Sequence, residues 1–385
     1  MERSFKHDSF LFSSVFHSLY TEGIFKTITQ SATSPAELCR ILTHEFEQAR
    51  LAGITQPIVV GAIPFDTRHP SSLYIPRASH FLSREAFRQK LRKIQRTPLL
   101  ITERQPLPDK DHFLAMVEKA VKEIRQGTLQ KIVLSRTQSI RTEHPIETIA
   151  LLSTLAEQNP DGYHFRLPLA ENRYLFGASP ELLLRQEKRT IATTPLAGTI
   201  KRDADAQQDR DNRDRLLASD KDRHEHRLVI EDIRQRLSGY CAKLDIPQTP
   251  TLLPTPQVWH LASPITGQLK ADNAHPLFLA CLLHPTPALC GVPMEKARGL
   301  ISELEPFERG VFGGIVGWSD AEGNGEWVVA IRCGVSQHNA VRLYAGAGIV
   351  ADSEPAAEWR ETEAKMRTML AALGQESNHT SRLKA

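Results

Sequence analysis

The sequence predicts an α+β protein, and three observations carry that prediction. Short apolar runs bounded by Pro, Gly and turn residues recur along the chain. Amphipathic helical patterns stand among them without the regular βαβ alternation of a doubly wound sheet. The last third carries two hairpin signals in succession: "AEGNG" joins "RGVFGGIVGWSD" to "GEWVVAIRCGVS", and "QHNA" joins that run to "AVRLYAGAGIV".

In chain order, "PIVVGAIPF" (57–65) and "SSLYIP" (71–76) are short, apolar and closed by Pro or Gly, as strands are. "DHFLAMVEKAVKEIRQG" offers Asp111 as an N-cap and repeats apolar residues at Phe113, Met116, Val117, Ala120, Val121 and Ile124 before Gly127. That spacing predicts an amphipathic helix. "QKIVLSR" follows as a strand with Ile132 and Leu134 on one face and Lys131, Val133 and Ser135 on the other. "IETIALLSTLAEQNP" predicts another helix, and "GYHFRL", "RYLFGASPELLLR" and "TIATTPLAG" predict strands.

Residues 201–227 are highly charged, lack Gly and Pro, and run into "LVIEDIRQRLSGY"; one charged helix that turns amphipathic explains them. "DIPQTPTLLPTPQVWHL" reads as a Pro-rich connection. In "GEWVVAIRCGVS", strand alternation puts Trp327, Val329, Ile331 and Cys333 on one face and Arg332 off the other. A last helix runs from about Pro355 to Leu373, with Asp352 or Ser353 as cap and Gly374 as stop.

A chain of 385 residues accommodates two domains or one large fold. With 41% hydrophobic and 24% charged residues it has the composition of a folded globular protein. The net charge is only +3 and bases are interleaved with acids, which argues against nucleic acid as a partner. Five scattered cysteines with no C-x-x-C pair suggest neither a disulfide framework nor a zinc knuckle, and fit reduced, cytosolic thiols. No run reaches the roughly 18 apolar residues of a membrane span, so a cytoplasmic protein is expected.

The stretch "SDKDRHEHRLVI" (219–230) holds two histidines, but His224 and His226 are two apart and diverge on a helix, and no H-E-x-x-H pattern exists. Zinc is therefore not expected. Glu225 shares a helix side with Leu228 and Val229, which turns it toward a core; the stretch alone favours a surface-edge glutamate paired with Arg or Lys. In "AEWRETEAK", Glu358, Glu361 and Lys365 share a helix face, and two adjacent carboxylates with oxygen-only chemistry suit Mg²⁺. An exposed Glu361–Lys365 ion pair is the plain alternative.

Gly346 and Gly348 in "YAGAGIV" mark a close approach by another backbone or a ligand, or a β-bulge. Arg332 on the neighbouring strand makes a carboxylate cradle possible there. Glu181 in "GASPELLL" is a carboxylate in apolar company, whose pKa burial would raise, as a general acid requires. Lys131, in an apolar strand, is a candidate base by the same logic in reverse. A charged-helix module that uses residues 201–227 to hold an acidic partner is the non-enzymatic alternative, and the small net charge argues against it.

Together, "VGAIPFD", "SSLYIP", "KIVLSR", "GASPELLLR", "PLAGT", "RLLASDKDRHEH", "LACLLHPTPAL", "ELEPFERGVFGGIVGW", "EGNGEWVVAIRC", "RLYAGAGIV" and "EWRET" resemble, in order, the chorismate-utilising enzymes, most closely the isochorismate synthases of siderophore pathways. The resemblance runs from about residue 57 to residue 370. It implies one large α+β domain in which two packed antiparallel sheets carry helices outside, with residues 1–55 as an N-terminal segment packed on it, 56–374 as the chorismate-binding domain and 375–385 as a tail.

The resemblance also implies the chemistry. Glu225 and Glu361, with Glu358 assisting, would hold Mg²⁺; Arg332, Lys365 and the Gly346 region would bind the carboxylates of chorismate; Ser179, Gly198 and His260 would be further contacts. Lys131 would deprotonate a water that adds at ring C2, and Glu181 would protonate the departing C4 hydroxyl. Relatives that add ammonia lack the lysine of "KIVLSR", and the aminodeoxychorismate type carries a lysine where Ala197 stands. Salicylate synthase, which goes on to eliminate pyruvate, is the harder rival; relatives making aromatic products tend to carry threonine where Ala288 stands. A monomer, in at most transient contact with downstream pathway enzymes, is expected.

Overall fold

The computed structural model describes residues 5–270 and 275–375, so the expected tail lies outside the described residues from 376 onward. Among the described residues, seventeen strands form one hydrogen-bonded ribbon, and every pairing in it is antiparallel. One half orders its strands as Ile101–Leu107, Lys131–Thr142, Ala340–Ile349, Cys333–Gln337, Arg173–Ser179, Tyr163–Leu169 and Leu11–Ser13, with the short Gly291–Val292 sharing an edge of Lys131–Thr142 with Ile101–Leu107. The other runs Ser18–Ile28, Ser72–Leu82, Ile58–Ile63, Ile315–Asp320, Asn324–Val329, Leu182–Glu187, Thr190–Thr194, Ile265–Leu269 and Cys241–Asp245. The hairpin of Leu11–Ser13 with Ser18–Ile28 joins the halves. The two packed sheets are thus one ribbon folded over.

Side-chain alternation shows the fold-over directly. Val60, Val316, Trp318, Val328, Phe165, Leu175 and Cys333 meet in an inner core drawn from both halves. Their neighbours Val59, Ile315, Trp327 and Val329 face outward, onto the helices Pro35–Leu51, Asp220–Ser238 and Pro276–Leu283. On the first half, Ile132 and Leu134 pack under Lys110–Arg125 and Met294–Leu304, and Phe176 and Leu343 under Thr148–Gln158 and Pro355–Ala372. Helix Lys110–Arg125 buries the six apolar residues its periodicity marks. Full burial of each large one contributes about 1.5–3 kcal/mol.

Five local expectations are corrected. Asp109, two residues before Asp111, caps Lys110–Arg125 by accepting the His112 N–H. The charged stretch is two helices, Ala206–Ala218 and Asp220–Ser238, because Ser219 turns extended and its hydroxyl accepts the Asp222 N–H as an N-cap. The Pro-rich connection contains strands Thr251–Pro254 and Val258–Ala262, which form a separate small sheet with Leu196–Lys201. Glu354, rather than Asp352 or Ser353, sits at the cap of Pro355–Ala372, while the Ser353 hydroxyl accepts the Val350 N–H. "GEWVVAIRCGVS" is not one strand: Asn324–Val329 belongs to one half of the ribbon and Cys333–Gln337 to the other.

Candidate active site

The chain crosses between the halves twice at one place. It crosses from Ser179 to Leu182 and back from Val329 to Cys333, and the two crossings are hydrogen-bonded through Ala178 N–H to Arg332 O and Val329 N–H to Glu181 O. Arg332 takes a left-handed φ of +48°, so a backbone kink, and not strand alternation, aims its side chain. The inner core ends there at Phe312, Ile331 and Tyr344. Beyond them opens a cleft lined also by Val133, Glu181, Ala197, Gly198, Glu225, His260, Ala288, Leu289, Arg332, Gly346, Gly348 and Lys365.

The cleft wall of the first half is the inner face of two paired strands, where Val133 lies opposite Gly348 and Ser135 opposite Gly346. The missing side chains are functional space. A Cβ at Gly348 would stand 2.1 Å from Glu225 Oε1, and one at Gly346 would stand 2.7 Å from the Ser135 hydroxyl. Beneath Gly348, the fully buried Lys131 ammonium lies 3.0 Å from Glu225 Oε1. Burial works to raise the Glu225 carboxyl, but Lys131, Lys365 and Lys221 outweigh it and hold it below its ordinary value.

Glu181 behaves differently. It is buried, accepts a long 3.5 Å bond from the Leu196 N–H, and is pushed up to about 7 by loss of water, against the pull of Lys131, Lys365 and Arg332. Across the crossing, burial brings Arg332 down to about 10. Its guanidinium donates to His260 Nε2 at 3.1 Å, and His260 Nδ1 pairs with the Thr199 hydroxyl at 2.9 Å. Burial, with Arg332 beside it, holds His260 neutral, well below its ordinary pKa.

Helix Pro355–Ala372 closes the site. Lys365 Nζ donates to Glu361 Oε1 at 2.6 Å and to the Gly346 carbonyl at 3.0 Å, and Glu358 takes a 2.6 Å bond from Lys221 of helix Asp220–Ser238. Burial, then the neighbouring Glu361, pushes Glu358 up to about 7.

A family model described as chorismate binding enzyme matches residues 42–374. The chain belongs to this chorismate-binding family. It is 46% identical over 371 residues to the isochorismate synthase EntC of Escherichia coli K12, covering 95% of this chain and 94% of that protein. The vibriobactin-specific isochorismate synthase of Vibrio cholerae is 39% identical, with 96% and 92% covered. Among solved structures, the putative 2,3-dihydroxybenzoate-specific isochorismate synthase DhbC of Bacillus anthracis matches with a TM-score of 0.90 at 40% identity, over 97% of this chain and 98% of that one.

In this chorismate-binding enzyme, Glu181, Gly198, Glu225, His260, Arg332, Gly346 and Lys365 all line the one cleft. Ser179 does not; its hydroxyl lies behind the crossing and accepts the Glu181 N–H at 3.2 Å. Lys131 sits under the wall, and Glu358 and Glu361 stand behind Lys221 and Lys365. Gly198, at φ +83°, brings its backbone against Asp222: a Cβ there would meet Asp222 Cβ at 3.0 Å.

Sequence reasoning missed Lys221 and His226. Lys221 precedes Glu225 by four residues, the spacing that places both on one helix face, and that was a usable signal. His226 Nδ1 pairs with the Ala197 carbonyl and Nε2 with the Ser263 hydroxyl, and burial lowers it to about 4. It ties the Glu225 helix to the cleft wall, a role no linear motif reveals.

The donor set is oxygen-only, as a hard divalent cation prefers, with Glu225 and Glu358 buried and Glu361 half-buried. Each of Glu225, Glu358 and Glu361 is held by its own lysine, and among the described residues no three His, Cys, Asp or Glu side chains stand grouped as a ligand set. The chemistry of the carboxylates fits Mg²⁺ once they turn from their lysines.

Proposed function

We propose that this chain is an isochorismate synthase, an isomerase that moves the hydroxyl of chorismate from C4 to C2. The carrying observation is a single cleft that holds a carboxyl shifted to about 7 and a buried lysine–carboxylate pair, in a chain 46% identical to a protein of that name. In its neutral amine form, Lys131 takes a proton from the water that adds at C2. Glu181, which keeps its proton up to about pH 7, gives a proton to the C4 hydroxyl, which leaves as water while the ring double bonds shift. Arg332, Lys365 and the backbone at Gly346 bind the substrate's carboxylates. Exchange with solvent resets both groups.

Glu225 and Glu361, with Glu358, would hold Mg²⁺, which supplies charge stabilisation and orientation for the ring carboxylate when bound. A catechol-siderophore pathway as the consumer is supported by the vibriobactin-specific and 2,3-dihydroxybenzoate-specific names among the relatives. A cytoplasmic monomer fits a chain whose five cysteines are free and in which no described helix is long and apolar enough to cross a membrane. The deciding experiment incubates pure protein with chorismate and Mg²⁺ and separates the products. Isochorismate alone is expected; substantial salicylate and pyruvate would overturn the reading in favour of salicylate synthase.

A further inference from the structure

Strand Lys131–Thr142 is paired along one edge by Ala340–Ile349, from Ile132 to Arg141. Its other edge is covered by Gly291–Val292 at Lys131 and Ile132, and by Ile101–Leu107 from Thr137 onward. Among the described residues, 133–136 have no partner strand on that edge, and of their backbone groups there the Val133 N–H alone meets backbone, donating to the Cys290 carbonyl at 2.8 Å. Backbone groups buried and unpaired there would cost about 1–3 kcal/mol each.

Two side chains fill the gap. Glu305 Oε1 accepts the Ser135 N–H at 2.7 Å, and Arg309 Nη2 donates to the Val133 carbonyl at 2.8 Å. The two are bound to each other, Arg309 Nε to Glu305 Oε2 at 2.8 Å and Nη2 to Oε1 at 2.5 Å, and both are buried. Arg309 Nη1 also donates to the Leu289 carbonyl at 2.8 Å, and the guanidinium lies 4.3 Å from the centre of the Phe65 ring. Val133 and Leu289 both line the cleft, so one planar group sets the spacing of two of its walls.

We propose that the Glu305–Arg309 pair is a positioning device for the reaction: it stands in for a missing strand beside residues 133–136 and fixes where Lys131 meets the cleft. This rests on the reading that Lys131 activates the water. A buried ion pair adds little net stability over apolar replacements of like volume, whereas a rigid fork holds register. Lysine, a point charge, cannot span the two carbonyls and the carboxylate together.

The test compares Arg309→Lys, Glu305→Gln and Glu305→Leu by steady-state kinetics and hydrogen exchange. In Arg309→Lys, kcat falls about tenfold or more, KM for chorismate stays within about threefold, and 131–137 exchanges faster while Arg173–Ser179 does not change. Glu305→Gln, which keeps the acceptor for the Ser135 N–H, retains most of kcat; Glu305→Leu loses it. Unchanged kcat in Arg309→Lys despite faster exchange overturns the proposal, as does equal loss in both Glu305 variants. Faster exchange throughout the molecule makes the pair a plain stabiliser and overturns it as well. Lys131→Ala tests the parent reading separately: wild-type kcat there removes the base assignment, while the exchange result still reports on the strand.

Discussion

Gly348 and Glu225 occupy each other's space: a methyl group on the one would overlap the carboxylate of the other at 2.1 Å. Helix and strand are both fixed by core packing, so the carboxylate would have to leave Lys131. Gly348→Ala is expected to fold, with a cooperative melt, and to lose about 100-fold or more in kcat/KM. Wild-type kinetics in that variant would mean that Glu225 has no working position to protect.

Glu181 provides the pH signature. Loss of water raises its pKa to about 7, so it carries its proton below that value and loses it above. Activity in kcat/KM should therefore be lost on the alkaline side, falling with rising pH once past about 7. Glu181→Gln should remove that limb and cost about 100-fold or more in kcat. A Gln variant that keeps the alkaline limb would assign it to another group.

Excess chelator should abolish turnover, and added Mg²⁺ should restore it. Glu361→Ala should leave the melting curve nearly unchanged yet abolish both turnover and the heat of Mg²⁺ binding in calorimetry. Full activity in chelator would sink the metal assignment.

Ala288 lines the cleft. Ala288→Thr should divert part of the product to salicylate and pyruvate, measured by separation of the reaction mixture. A product mixture identical to wild type would show that this position does not govern where the reaction stops.

What was legible in the chain follows from the range of the forces involved. Helix Lys110–Arg125 buries Phe113, Met116, Val117, Ala120, Val121 and Ile124 because one periodic face needs only one apolar neighbour. Glu358, Glu361 and Lys365 share one face by helical geometry alone, and lie on one helix as that spacing requires. Arg332 was legible as a site residue but the kink that aims it was not, because alternation assumes one continuous strand while the chain there crosses between the two halves of the ribbon. Lys221 was hidden by the histidines beside it. Thr251–Pro254 and Val258–Ala262 read as a connection because their prolines mask a short pairing with Leu196–Lys201, which is remote in sequence. The work of Glu305 and Arg309 depends on a gap in an edge 170 residues away from Glu305, which no local pattern reports.

The place of Ala340–Ile349, between Cys333–Gln337 and Lys131–Thr142, has a consequence for how the protein is made. A ribosome releases Lys131–Thr142 long before it makes the strand that covers it, and the intervening chain supplies no substitute along that edge. Until the late strand arrives, the nascent sheet presents an open row of backbone donors and acceptors flanked by Ile132, Val133 and Leu134, ready to pair with other chains. The sooner the late strand follows, the shorter the interval in which another chain can take its place on that edge.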